Sequence, residues 1–219
     1  MQGIWAVVPV KPFDQAKQRL SGLLPSVERR ELAQAMLEDV LDSLARIDRL
    51  SGTMVVTTDA AAAGLACVRS CEVFDQEPGG GLAAAVTAAA RWLARNGCRT
   101  MLALPGDVPG VTPRELDLLL ARHAAGAGIT LVPAHDRRGT NAVVMTPPDA
   151  VALAYGENSF ERHLWSARCT GIEPAVLVLP GIAQDLDTPP DVAAFMRRPS
   201  PTRTWRRLAR SAAFSDSIA

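Results

Sequence analysis

The residues best suited to chemistry fall into a few short clusters. Lys11, Lys17 and Arg19 place three cations within nine residues, directly behind the apolar run from Ile4 to Val10. Convergent cations at the end of a strand suit a triphosphate, whose charge must be neutralised before a nucleophile can approach. The loop matches neither a Walker A sequence nor G-x-G-x-x-G, and a solvated basic loop is its plain alternative. The stretch Leu104-Pro105-Gly106-Asp107-Val108-Pro109 puts one acid directly after a buried-looking strand. A charge there is costly unless it binds something. One carboxylate at a strand end fits Mg²⁺, which takes one or two carboxylates plus substrate phosphates. The competing role for Asp107 is to cap a turn or the next helix. Asp185 and Asp187 lie two apart and share a side if the segment is extended. Asp187 directly precedes Thr188-Pro189 and could simply help cap a helix, so Asp185 ranks slightly above it as a ligand.

Other segments offer backbone and hydroxyl donors. Gly79-Gly80-Gly81 before a helix allows close backbone approach, and a helix start favours anions or base edges. A flexible turn would look the same. In Arg137-Arg138-Gly139-Thr140-Asn141, Gly139 permits a tight turn and Thr140 and Asn141 supply short donors for a phosphate or carboxylate. Gly156 and Ser159 put a backbone N–H and a hydroxyl at a helix start, although Ser159 could serve only as the N-cap. His163 sits four residues on, on the same helix face, where a structural polar contact is expected. No Ser-His-Asp arrangement with supporting motifs is present.

The elements that must position these groups alternate. Strands are predicted at Ile4–Val10, Thr53–Thr58, Glu72–Phe74, Thr100–Leu104, Ile129–Pro133, Ala142–Thr146 and Ala175–Leu179. Helices are predicted from Val27 to Arg46 with Ser26 as N-cap, after Asp59, from the glycine run to about Arg95, from Thr112-Pro113 to about His123, over Ser159–Ala167, and from Thr188-Pro189. This order predicts an α/β fold: one Rossmann-like domain with a mostly parallel sheet and helices on both faces. Ligands then bind at the carboxyl ends of the strands, near a topological switch point.

Composition agrees with a globular domain. The chain has 219 residues, 48% hydrophobic and 21% charged. That is room for one domain, over residues 1–196, followed by an appended tail. The apolar runs are far shorter than the ~20 residues of a membrane span. The N-terminus shows no basic, then apolar, leader pattern, so a cytoplasmic protein is expected. His123, His135 and His163 are scattered, as are Cys67, Cys71, Cys98 and Cys169; buried free thiols are expected, not a zinc site. From Arg197 onward six arginines face one acid, giving +5; the chain is neutral overall, so residues 1–196 carry −5. This does not describe a nucleic-acid binder. The tail reads as a solvated end or a short helix over Trp205–Arg210.

Taken in order, Val8-Pro9-Val10-Lys11, Ala16-Lys17-Gln18-Arg19-Leu20, Pro105-Gly106-Asp107-Val108-Pro109, Gly139-Thr140-Asn141-Ala142, Gly156-Glu157-Asn158-Ser159-Phe160 and Leu186-Asp187-Thr188-Pro189-Pro190-Asp191 resemble the 2-phospho-L-lactate guanylyltransferase family. The resemblance spans about residues 4–195. It implies a GT-A-like nucleotidyltransferase fold, GTP, Mg²⁺ and a phosphorylated three-carbon acid: 2-phospholactate, phosphoenolpyruvate or 3-phosphoglycerate. The setting it implies is biosynthesis of the deazaflavin coenzyme F-420. It assigns the acceptor to Thr140, Gly156 and Ser159 and the metal to Asp107, Asp185 and Asp187; the nucleotide is then expected at Gly79, Gly80, Gly81 and Pro105. Lys11, Lys17 and Arg19 would balance the β- and γ-phosphates. The partners are then GTP and the acid, with no nucleic acid or membrane; the oligomeric state stays open, a homodimer included. One departure is Gly81-Leu82-Ala83, where the family usually has Gly-Leu-Asn; if that Asn touches guanine or ribose, base selection is weaker here unless a neighbour compensates. Alternatives are transfer to another acceptor, of sugar-phosphate or molybdopterin type, and a non-catalytic nucleotide-binding protein.

Overall fold

Short apolar β-branched runs become the strands of a seven-stranded sheet. The computed structural model describes residues 3–75, 81–124, 126, 128–156 and 158–214. The strands are β1 (Ile4–Pro9), β2 (Leu50–Val56), β3 (Glu72–Phe74), β4 (Thr100–Ala103), β5 (Ile129–Pro133), β6 (Thr140–Met145) and β7 (Ala175–Val176). Their order in the sheet is β3-β2-β1-β4-β6-β5-β7. All pairings are parallel except those of β6, which runs antiparallel to both β4 and β5.

The sheet is buried on both faces, which is why its strands read as continuous apolar runs. On one face Ala6, Val8 and Leu102 pack with Leu32, Met36 and Leu41 of α1 (Ser26–Leu44), and with Leu116 and Leu119 of α4 (Pro113–Ala124). On the other, Trp5, Val7 and Met101 pack with Val86, Ala89 and Leu93 of α3 (Gly81–Arg95), and with Phe160 and Ala167 of α5 (Ser159–Cys169). Each such aliphatic side chain gains roughly 1.5–3 kcal/mol from leaving water. In α2 (Ala60–Val68) the cap is Asp59, whose Oδ1 accepts from the N–H groups of Ala61 and Ala62.

The C-terminal segment docks onto α1. There α6 (Pro180–Ala183) and α7 (Pro189–Met196) are followed by α8 (Arg203–Ala209). Asp39 of α1 is buried and accepts hydrogen bonds from Arg203 N (2.8 Å), Thr204 N (2.8 Å) and Thr204 Oγ1 (2.7 Å). The Arg203 guanidinium pairs with Glu38 and Asp42, and Arg207 pairs with Glu31. Thr204 and Leu208 are buried. The charge asymmetry of the sequence is thus neutralised locally, basic helix against acidic helix.

Several boundaries differ from expectation. The run Ala175–Leu179 is a strand only over Ala175–Val176; Leu179 instead precedes Pro180, whose ring starts α6. Ser26 is the first residue of α1, not its cap, and Pro25 holds the cap position without a side-chain bond. Similarly, Asn158 occupies the cap position of α5 and Ser159 is its first residue. Strand β6 begins at Thr140, two residues before the predicted start, because Thr140 pairs with Pro133. The thiols are free, but only Cys98 is buried; Cys67 and Cys169 are exposed. No helix among the described residues is long and apolar enough to cross a membrane.

Candidate active site

The sheet order reverses at β1. From there the chain goes to β2 on one side, while β4 lies on the other. The crevice past the carboxyl ends of β1 and β4 is the switch point where such sheets bind ligands. A cleft of about 330 Å³ opens there, lined by Lys11, Lys17, Arg19, Pro105, Asp107 and Asp187 among others. The loop behind β1 forms two 3-10 turns, Phe13–Gln15 and Gln18–Leu20, with Lys17 between them at φ 54° and ψ 38°. Buried Phe13 and Leu20 pin the loop to the core, and Phe13 N–H donates to Asp59 Oδ2 at 2.8 Å. Gly106 is tightly packed: a Cβ there would lie 3.2 Å from Leu37 and 3.3 Å from Val10, so those side chains would have to give way.

Lys17 is the centre of the charge arrangement. Although its side chain is 5% exposed, Nζ is 2.7 Å from Asp107 and 3.7 Å from Asp187. Arg19 is exposed and reaches Asp187 at 3.0 Å. Leu186 N–H donates to the Asp107 carbonyl, which ties the two acidic segments together, and the Leu186 side chain is buried in the core. Asp185 accepts from Asn141 Nδ2 at 3.2 Å. Burial and the charge of Asp107 push its carboxyl upward, against the pull of Asn141 and Lys17. The capping of α7 is done by Thr188 and Asp191, which leaves the Asp187 carboxylate to the cleft.

A second centre forms where β6 meets α5. Thr140 N–H donates to Ser159 Oγ at 3.0 Å, and Phe160 N–H donates to the Arg138 carbonyl. Gly156, at φ 98°, lies one turn before and accepts from Ser159 N–H. These residues do not line the cleft of the cations; Asn141, next to Thr140 and bonded to Asp185, links the two centres. Asn141 spends its amide on Ile182 O and Asp185, so it is a link and not an open donor. Lys17, Arg137 and Asn158 all hold left-handed backbone, a strained conformation that concentrates at functional loops. Gly81 opens α3 at φ 68°, and Leu82 beside it lines the cleft. Gly79 and Gly80 lie outside the described residues.

With the cations and carboxylates gathered at a switch point, the comparisons with known proteins select among nucleotide-binding folds. The family model described as guanylyl transferase CofC like matches residues 4–215. The chain belongs to this guanylyltransferase family. Its extent takes in the basic helix α8, beyond residue 195, where the legible motifs end. The chain is 35% identical over 191 residues to a phosphoenolpyruvate guanylyltransferase from Conexibacter woesei, covering 87% of this chain and 86% of that one. It is 33% identical over 207 residues to a 3-phospho-D-glycerate guanylyltransferase from Colwellia psychrerythraea, covering 94% and 98%. In fold it is similar to a protein from Desulfovibrio desulfuricans described as a nucleotide-diphospho-sugar transferase, with TM-score 0.80 at 17% identity and coverage of 99% and 98%. The protein is a nucleotidyltransferase.

The acidic residues of this guanylyltransferase have the chemistry to take a divalent cation. Burial first, and the Asp107 charge second, raise the Asp185 carboxyl, and a cation between the two acids would offset both. Among the described residues no three His, Cys, Asp or Glu side chains form a ready cage. Two carboxylates completed by phosphate oxygens is the donor set that Mg²⁺-type ions use, so the residues fit. Sequence reasoning missed the Asn141–Asp185 link, and it expected of His163 a structural polar contact, which its bonds to Ala154 and Thr140 are.

Proposed function

We propose that this protein transfers GMP from GTP to a small phosphorylated three-carbon acid and releases pyrophosphate. The observation that carries this reading is the convergence of Lys11, Lys17, Arg19, Asp107 and Asp187 on one cleft of a guanylyltransferase-family sheet. An oxygen of the acceptor phosphate attacks the α-phosphorus of GTP. The bond from that phosphorus to the bridging oxygen breaks, and pyrophosphate leaves with the electron pair. The acceptor phosphate is already an anion, so no general base is required. The residues therefore act by positioning and by balancing charge. Lys11, Lys17 and Arg19 neutralise the β- and γ-phosphates. Pro105 and the glycines Gly79, Gly80 and Gly81 border the nucleoside. Thr140, Gly156 and Ser159 orient the acid.

Asp107 and Asp185, with Asp187 beside them, would hold Mg²⁺. When bound, that ion supplies charge neutralisation at the α-phosphate and the attacking oxygen. The names of the relatives support phosphoenolpyruvate or 3-phosphoglycerate as acceptor, and the motif resemblance adds 2-phospholactate. The same resemblance supports a place in coenzyme F-420 biosynthesis. The three acids share a phosphate and a carboxylate, so pocket shape decides between them.

The test is pyrophosphate release from purified protein with GTP and Mg²⁺, run with each acid and with none. Release that depends on one acid is the expected result and names the acceptor. Absence of release with all three, under conditions where a relative is active, would overturn the reading.

A further inference from the structure

His163 does not touch the cleft, yet its hydrogen bonds fix what Thr140 can do. Its Nε2 is 2.9 Å from the backbone N–H of Ala154. A backbone N–H only donates, so Nε2 is the bare nitrogen. A neutral imidazole then carries its proton on Nδ1, which lies 2.9 Å from Thr140 Oγ1. His163 is buried, and burial together with Arg162 holds it well below the usual histidine range, which keeps it neutral. Thr140 Oγ1 is therefore an acceptor towards His163. Its own hydroxyl proton is left to donate elsewhere. The Thr140 N–H is meanwhile spent on Ser159 Oγ, and the Ser159 hydroxyl proton has no acceptor among the described residues.

We infer that His163 is a positioning residue that makes the Thr140 hydroxyl an obligate donor, aimed at an anionic oxygen of the acceptor acid. By holding Ala154, the same ring also anchors the loop that carries Gly156. The inference rests on the acceptor-site reading above. It adds a residue that contacts no substrate and acts through one that does. Its chemical consequence is selectivity for an anion: a hydroxyl with a fixed acceptor side and a free proton favours a phosphate or carboxylate oxygen over a donor group.

Two substitutions separate the two ring nitrogens. His163→Asn keeps a donor near the position of Nδ1 and gives up the bond to Ala154. His163→Gln keeps an acceptor near Nε2 and gives up the donor to Thr140. KM for the acid that supports turnover, KM for GTP and kcat are measured for both, and for Thr140→Val and the Thr140→Val/His163→Gln double variant. The expected result is a rise of about tenfold or more in KM for the acid with His163→Gln and Thr140→Val, since Thr140→Val removes a hydrogen bond to a charged group and His163→Gln removes the bond that holds its donor in place. KM for GTP should stay within about threefold. His163→Asn should restore most of the affinity for the acid, and the double variant should be little worse than Thr140→Val alone. If Thr140→Val leaves KM for the acid unchanged, or no acid supports turnover, the acceptor-site reading fails and this inference with it. If Thr140→Val acts but His163→Gln does not, or acts as strongly in the Thr140→Val background, only the inference is overturned. Equal effects of Asn and Gln on both substrates would mark His163 as merely structural.

Discussion

Acidification from pH 7 to pH 5 should weaken this protein by about 2 kcal/mol through His163 alone. Burial first, and the Arg162 charge second, hold the buried imidazole down to about 4, against the opposing effect of its hydrogen bond with Ser159. The unfolded chain titrates near the ordinary value of 6.5. Because the folded value is the lower one, this contribution is complete above pH 6.5. It is lost as the pH falls towards 4, since the unfolded chain takes up a proton that the folded protein refuses. The gap amounts to roughly 3 kcal/mol in full, of which about 2 kcal/mol is lost by pH 5. His123, also lowered by burial, acts in the same direction. Asp185 is raised and works in the opposite sense. Asp42 and Asp59 are held low by their hydrogen bonds despite burial, so their contributions are lost mainly below this window. The assay is urea unfolding at pH 7 and pH 5 for the wild type and for His163→Asn, which cannot titrate there. The variant should lose about 2 kcal/mol less than the wild type across the interval, whatever its absolute stability. An identical loss in both proteins would refute a neutral, buried His163.

Three further perturbations have definite outcomes. Asp107→Asn should lower turnover about a thousandfold through loss of a charge at the reacting centre, with the circular dichroism spectrum unchanged; near-normal turnover would remove Asp107 from the metal site. Asp185→Asn keeps an acceptor for Asn141 and removes the repulsion with Asp107, so the melting temperature should rise, by about 2–4 °C for each kcal/mol recovered, while activity falls. A lower melting temperature would contradict the strain assigned to Asp185. Ala83→Asn restores the side chain usual in the family and should raise the preference for GTP over ATP by up to roughly tenfold in kcat/KM, the worth of one hydrogen bond; an unchanged ratio would show that another group reads the base.

Much of the scaffold is legible because burial on both faces leaves continuous apolar strands between periodic helices. Asp107 stands out for a related reason: an acid after a buried strand is costly unless it binds something. The antiparallel direction of β6 is not, since strand order depends on pairings between distant segments. Docking of α8 was hidden by its arginines, whose partners Glu31, Glu38 and Asp42 lie more than 160 residues earlier in the chain. A signal did exist. Asp39 falls three residues after Met36 and seven after Leu32, on the apolar stripe of α1, where an acid demands donors. For His163 the spacing from Ser159 marks the right helix face, but the tautomer depends on Ala154, which only the folded loop brings near. The run to Leu179 misleads because apolar content alone does not tell a strand from the approach to a short helix.

The central claim is that the acid receives GMP. The most direct measurement is ³¹P NMR of a reaction containing GTP, Mg²⁺ and the acid that supports pyrophosphate release. A new pair of coupled diphosphate resonances, matched in amount by free pyrophosphate and absent with Asp107→Asn, is the predicted result. Conversion of GTP to GDP and inorganic phosphate, with the acid's phosphate resonance unchanged, would contradict it.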